Sequence, residues 1–165
     1  MLRRFVKTPV GPLAITVSSE GRLVEISLRK PSRDLVETTP NDAARHCIEV
    51  TAAQLLEYFD GERKTFDLPL HPHGTEFEVR VWRRLCEIPY GFTTSYGALA
   101  KELGLMNGAR AIGRANGSNP IPIVIPCHRV IGTNGTLVGF GGGLQMKRAL
   151  LELEGSLCPE PLRLM

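Results

Sequence analysis

Three prolines stand at 120, 122 and 126, and neither a helix nor an interior strand can pass through them. Each fixes its own φ and turns its predecessor away from the α region, so the run from Asn119 to Pro126 is expected to be extended and stiff. Ile121, Ile123, Val124 and Ile125 fill the gaps and make the run an apolar path into the interior. The path ends at Pro126-Cys127-His128-Arg129-Val130, where one thiol meets two side chains able to donate hydrogen bonds. A thiol in that company is a candidate nucleophile, because the thiolate is the reactive form and neighbouring donors favour it. Free cysteine is also among the most buried residue types and often serves only as a small hydrophobe, so the surroundings must decide.

The chain of 165 residues is long enough for one ordinary domain or two small ones, and 42% hydrophobic with 22% charged residues is ordinary globular composition. No apolar run approaches the roughly 20 residues of a membrane span. Met1 to Lys7 carries charge but no following apolar stretch or small-residue cleavage site, so a cytoplasmic location is expected. Cys47, Cys86, Cys127 and Cys158 are far apart and form no CxxC pair. His71 and His73 flank Pro72 and read as linker residues, so neither a metal nor another cofactor is expected. The net charge of +3 is unevenly placed. Residues 1–70 balance ten cations against ten acids, whereas 71–165 hold ten against seven. Between Glu102 and Glu152 there is no acid, while Arg110, Arg114, Arg129, Lys147 and Arg148 lie inside, so a polyanion could rest there without repulsion.

Alternation over 4–29 predicts a hairpin or meander with one buried face: Arg4–Lys7, Leu13–Val17 and Leu23–Leu28 as strands. Lys30–Asn41 reads as a loop, and Asn41 or Asp42 caps a helix to Phe59 with Ala44, Ile48, Leu55 and Phe59 on one stripe and Cys47 beside it. Thr65–Leu70 reads as a further short strand. The expected organisation is a β-rich lobe over 1–70, a linker at 71–74, a mainly helical lobe over 75–155 and a tail over 156–165. Thr75 and Glu78 have capping-box spacing ahead of the stripe Phe77, Val81, Leu85 and Ile88, with Trp82 and Cys86 assigned to core packing. Thr94 or Ser95 caps a short helix from Tyr96 to Leu103, and Asn107 caps a second through about Gly117, the lengths of a helix-turn-helix. The second helix is small-residue rich around Arg110, which suits either close helix packing or close approach to a nucleic-acid groove. Val130–Val138 reads as a hairpin with a type I′ turn at Asn134-Gly135, followed by the Gly139–Gly143 run and a helix from Leu144 to Glu154.

From Phe77 to Gly155 the sequence resembles the O6-alkylguanine-DNA alkyltransferases. The likeness rests on Ile88-Pro-Tyr-Gly91, Ser95-Tyr-Gly-Ala-Leu-Ala100, Ala109-Arg-Ala-Ile-Gly113, Asn119-Pro120, Pro126-Cys-His-Arg-Val130 and Gly139-Phe-Gly-Gly-Gly143. It implies an α/β (α+β) fold: a small antiparallel sheet with a helix, ribonuclease H-like, then a mainly helical part carrying the helix-turn-helix. It implies single-turnover transfer of an alkyl group from O6-alkylguanine in double-stranded DNA to Cys127, O4-alkylthymine being left open. The helix-turn-helix would bind the minor groove with Thr94, Ser95, Gly108, Ala109, Ala111 and Gly113 against DNA. Arg110 would fill the gap left by the flipped base, and Tyr96 would rotate the phosphate and donate toward the base. His128 would take the thiol proton, Glu154 would orient His128, and Asn119 would fix the loop. Val130, Phe140, Gly141 and Arg129 would line the alkylguanine pocket. Phe140 departs from the tyrosine of many relatives, which keeps a wall and loses a hydroxyl. A monomer is expected, with cooperative binding along DNA left open. Cys127 argues against the lesion-binding relatives that lack the cysteine. A plain DNA-binding regulator would have no use for Cys127 and Glu154, and a cysteine hydrolase would need an oxyanion hole.

Overall fold

The computed structural model describes residues 1–29 and 41–157; the loop expected over Lys30–Asn41, save Asn41 itself, and Cys158 in the tail lie outside the described residues. β1 (Leu2–Thr8), β2 (Gly11–Val17) and β3 (Leu23–Ser27) form an antiparallel sheet in the order β1-β2-β3. Leu13, Ile15 and Val17 face α1 (Asp42–Phe59), as their alternation requires. Ala14 and Thr16 on the other face are buried as well, so the central strand is covered on both sides rather than one. Arg3 contributes to that cover, its Nε donating to Thr16 Oγ1 at 3.1 Å.

Asn41 caps α1, its Oδ1 accepting from the Ala44 N–H at 2.9 Å. The buried stripe runs Ala44, Ile48, Thr51, Leu55, Tyr58, alternating steps of four and three, so Tyr58 ends it and Phe59 is only half-buried. Thr65–Leu70 is not a strand. Pro69 has no N–H for a ladder, and the contact shrinks to a single bridge from Leu70 to Leu23, held by Leu23 N–H to Pro69 O and His71 N–H to Leu23 O, both 2.8 Å.

α2 (Glu76–Leu85) starts with both bonds of the capping box: Glu78 N–H to Thr75 Oγ1 at 3.2 Å and Thr75 N–H to Glu78 Oε2 at 2.8 Å. Val81, Trp82 and Leu85 are buried, and the Trp82 indole N–H donates to the Ala115 carbonyl at 2.8 Å. Cys86, assigned to the core from its place beside this stripe, is exposed, because the helix ends there and the residue is its C-cap.

β4 (Thr94–Ser95) leads into α3 (Tyr96–Glu102), which Ser95 caps through Ala98 N–H at 3.0 Å. A tight turn then enters α4 (Ala109–Gly117). Asn107 does not cap it: with φ 53 it belongs to the turn, and Gly108 holds the cap position without a side-chain bond. A Cβ on Gly108 would lie 2.5 Å from that of Leu105, so the turn admits only glycine.

β5 (Val130–Ile131) pairs in parallel with β4, matching Thr94 to Val130 and Ser95 to Ile131. The expected hairpin over 130–138 is reduced to its loop: Gly132 N–H donates to Thr136 O at 2.8 Å, but no second strand continues the ladder beyond Thr136. A turn does close, with Gly135 N–H to Gly132 O at 2.9 Å, but only Gly135 has positive φ and Asn134 does not, which excludes type I′. α5 (Leu144–Leu153) ends the described fold, with Glu154 as its C-cap. One apolar cluster runs from Val6 through Trp82 and Ile112 to Leu150, so sheet and helices share a core.

Candidate active site

The proline run is a compact turn rather than an extended rod. Ile125 N–H donates to Ile121 O at 2.9 Å, and Ile123 is driven to φ 74, a strained conformation for a β-branched residue. Such strain costs on the order of 1–3 kcal/mol and persists only where neighbours over-determine it. Asn119 supplies that restraint, its Oδ1 accepting from Ile121 N–H at 3.0 Å and its Nδ2 donating to Ile125 O at 2.8 Å. The turn is docked on the sheet through Ile26 N–H to Pro120 O at 2.9 Å. Every residue from Ile121 to Val130 is buried.

Cys127 opens a single 3₁₀ turn, Cys127–Arg129, directly before β5. The β4–β5 pairing brings Tyr96 alongside it. Burial pushes the Cys127 thiol up to about 11; the Asn119 side chain, the Lys147 charge and backbone N–H groups pull the other way and do not overcome it. The resting group is therefore a thiol, and its chemistry needs a base.

His128 is fully buried, and its Nε2 lies 2.7 Å from Glu154 Oε1. Burial holds the imidazole below its ordinary value against the pull of the carboxylate, so His128 is neutral. Burial also works against ionisation of Glu154, but hydrogen bonds from His128 and Arg129 outweigh it and hold the carboxyl at about 2. An ionised carboxylate only accepts, so Nε2 of His128 carries the proton and Nδ1 keeps its lone pair. Among the described residues Nδ1 is buried and meets no protein partner. Arg129 turns away from the thiol: Nε and Nη2 donate to Glu154, both at 2.9 Å, and Nη1 to Ile88 O at 2.6 Å.

A cavity of about 160 Å³ opens over the thiol, with Cys127, Asn119, Asn116, Tyr96, Phe140 and Gly141 among its walls. Leu28, just beyond β3, also lines it, so the first thirty residues shape this pocket. Arg129 lies instead on another cavity with Tyr90 and Lys64. The Val130 carbonyl is occupied by Lys147 Nζ at 2.6 Å. Tyr96 donates its hydroxyl to Val138 O at 2.9 Å. On the helix-turn-helix, Ala109 and Arg110 are exposed, while Gly108, Ala111 and Gly113 are half-buried, as are Thr94 and Ser95 of β4 just before it.

The description "6-O-methylguanine DNA methyltransferase, DNA binding domain" matches residues 76–156, and the ribonuclease-like domain of the same proteins matches 1–72. The methylated-DNA–protein-cysteine methyltransferase of Mycobacterium tuberculosis is 46% identical over 98% of this chain and 96% of its own. The chain belongs to the 6-O-methylguanine DNA methyltransferase family. The Methanosarcina acetivorans methyltransferase is 43% identical over 94% of this chain and 99% of its own. A crystal structure of the M. tuberculosis family member in complex with DNA superposes with a TM-score of 0.79 at 43% identity, covering 93% of this chain and 92% of that one.

Three residues of this methyltransferase-family site escape a reading of the sequence. Lys147, fully buried at the start of α5, donates to the carbonyls of Val130, Val138 and Gly139 at 2.6, 3.1 and 3.3 Å, and burial lowers its ammonium to about 8. It clamps the chain leading to Phe140 and is no surface cation. Asn116, buried on α4, donates Nδ2 to Cys127 O at 3.2 Å and leaves Oδ1 without a protein partner. Tyr58 donates its hydroxyl to Glu154 Oε1 at 2.7 Å. The signal for Tyr58 was its place on the α1 stripe; a polar tip at a core position demands a buried partner.

Proposed function

We propose that the protein repairs DNA by direct reversal, transferring the alkyl group of O6-alkylguanine to Cys127 in a single irreversible displacement. The observation that carries this reading is the buried thiol at the cavity floor, adjacent in sequence to a histidine held by Glu154 at 2.7 Å. The sulfur forms a bond to the alkyl carbon as the carbon–O6 bond breaks, and that electron pair stays with the guanine. The thiol proton passes to His128 Nδ1, directly or through one bridging water, and ends on the guanine ring, so charge and atoms balance. The transient imidazolium is matched by the negative charge on the sulfur and then on the departing guanine, and the Glu154 carboxylate stabilises the imidazolium. Tyr96 exchanges its bond with Val138 O for one to the base. The thioether product offers no leaving group, and each chain acts once.

Double-stranded DNA is the partner. α4 presents Ala109 and Arg110 to the groove with little side-chain bulk between them and the duplex, which suits a minor-groove approach with Arg110 entering where the base has left. Thr94, Ser95, Gly108, Ala111 and Gly113 flank that contact. We assign 71–74 to a linker between a β-rich lobe over 1–70 and a DNA-binding and active-site lobe over 75–155. No helix among the described residues is long and apolar enough to cross a membrane. The unpaired thiols of Cys47, Cys86 and Cys127 suit a reducing, cytoplasmic setting. The test is transfer of label from O6-methylguanine DNA followed by peptide mapping; label on Cys86 or Cys47 would refute the assignment.

A further inference from the structure

The carboxylate of Glu154 is held from two directions. His128 and Arg129 reach it from the cysteine turn, while Tyr58 reaches it from the last turn of α1, 96 residues earlier in the chain. Three donors converge on Oε1: the Tyr58 hydroxyl at 2.7 Å, His128 Nε2 at 2.7 Å and Arg129 Nη2 at 2.9 Å. Among the described residues, Oε2 takes Arg129 Nε alone. Donors sharing one oxygen compete for its charge, so each weakens the acceptor that the others see.

Tyr58 cannot swing away. It is fully buried, and its ring is braced by Phe59, Phe66 and Tyr90 at centroid distances of 5.2, 5.4 and 6.3 Å. Its neighbour Tyr90 shows what a hydroxyl needing only a partner does here: it donates to a backbone carbonyl, that of Leu153, at 3.2 Å. Tyr58 uses the side chain that orients His128. The other ionisable groups facing this network are Arg129 and Tyr90 beside Tyr58, Lys64 over the Tyr90 ring at 5.6 Å, and Cys127 and Lys147 on the far side of His128.

We infer that Tyr58 is a positioning residue for alkyl transfer, whose hydroxyl fixes Glu154 and limits how strongly that carboxylate draws on the Nε2 proton of His128. The inference rests on the reading that His128 Nδ1 takes the thiol proton. Without the hydroxyl, Oε1 would bind the Nε2 proton more tightly, Nδ1 would become more basic, and His128 would be lost as a base at higher pH. The sheet-bearing part of the chain would thereby set the pH range of chemistry performed at the cysteine turn.

The test measures the rate of transfer from free O6-benzylguanine across pH for the full chain, for Tyr58→Phe, and for a chain with 3-fluorotyrosine at position 58 only. Tyr58→Phe should move the acid limb upward, so that rates on that limb fall about tenfold below wild type while the alkaline plateau stays within about threefold. Fluorotyrosine, a stronger donor of the same shape, should move the limb downward. A profile merely scaled down at every pH, or shifts of both variants in one direction, would overturn the inference. Should Tyr58→Phe fail to fold, the fluorotyrosine chain decides alone by moving the limb or leaving it in place. A wild-type chain that transfers nothing would instead refute the underlying function, which separates the two failures.

Discussion

Replacing Glu154 by glutamine removes one charge and little volume, and the structure sets what that should do. Glu154 goes from an ordinary value of 4.5 to about 2 in the folded protein. At about 1.4 kcal/mol per unit this is on the order of 3 kcal/mol of stability. Breaking one side of a buried ion pair, here stranding Arg129, independently suggests about 3–5 kcal/mol. For a chain of this length each kcal/mol moves the melting temperature by about 2–4 °C, so Glu154→Gln should melt roughly 6–20 °C lower near pH 7. The pH dependence sharpens the test. A depressed carboxyl stabilises fully above pH 4.5, and that contribution is lost as pH falls toward about 2. His128 acts in a separate window: buried and neutral, it costs stability as pH falls below 6.5, where the unfolded chain gains the proton first. The glutamine chain should keep the second window and flatten the first. Alkyl transfer should drop by about 10²-fold or more, the usual worth of a positioned base. Thermal melting across pH, with transfer from O6-benzylguanine alongside, measures all of this. Melting within about 2 °C of wild type near pH 7 would refute the reasoning.

Arg110 is exposed on α4 and is not among the residues lining the cavity over the thiol, so Arg110→Ala should slow repair of duplex DNA strongly and transfer from free O6-benzylguanine little; equal losses would contradict its assignment to base extrusion. Binding to undamaged DNA should weaken with salt at a logarithmic slope of about −3, from roughly three phosphate contacts, because Arg129 and Lys147 are buried and cannot serve. Lys147→Met leaves the buried Val130 carbonyl without its donor, at a cost of about 1–3 kcal/mol, and should lower both melting temperature and affinity for O6-benzylguanine by freeing the chain toward Phe140. An unchanged affinity would show that Lys147 does not support the pocket wall.

The elements that could be read from sequence are those fixed by local chemistry. The capping box at Thr75, the Asn41 cap and the alternating strands all appear where their residues place them. Failures came where a tertiary partner competes with local preference. β5 pairs with β4, and of the hairpin over 130–138 only the loop closed by Gly132 and Thr136 remains. The prolines fold into a turn because Asn119 closes both ends of it and holds Ile123 in a conformation its side chain disfavours. At the site, residues inside the family's motifs or named with them, Glu154, Tyr96 and Phe140 included, were legible, and those outside, Tyr58, Asn116 and the role of Lys147, were not. Lys147 lay in an acid-free stretch that suggested a surface for DNA, yet its ammonium is enclosed by three carbonyls. No spacing in the sequence could reveal that Tyr58 and Glu154 meet.

The central claim is that Cys127 accepts one alkyl group and is then spent. Intact mass, followed while the protein is titrated with excess O6-methylguanine DNA, tests it most directly, with Cys127→Ser as the unreactive control. One methyl per chain, a plateau at one equivalent and a lowered melting temperature are predicted, since an added methyl in a packed site typically costs about 1–3 kcal/mol. Repair that continues past one equivalent while the protein stays unmodified would contradict the account.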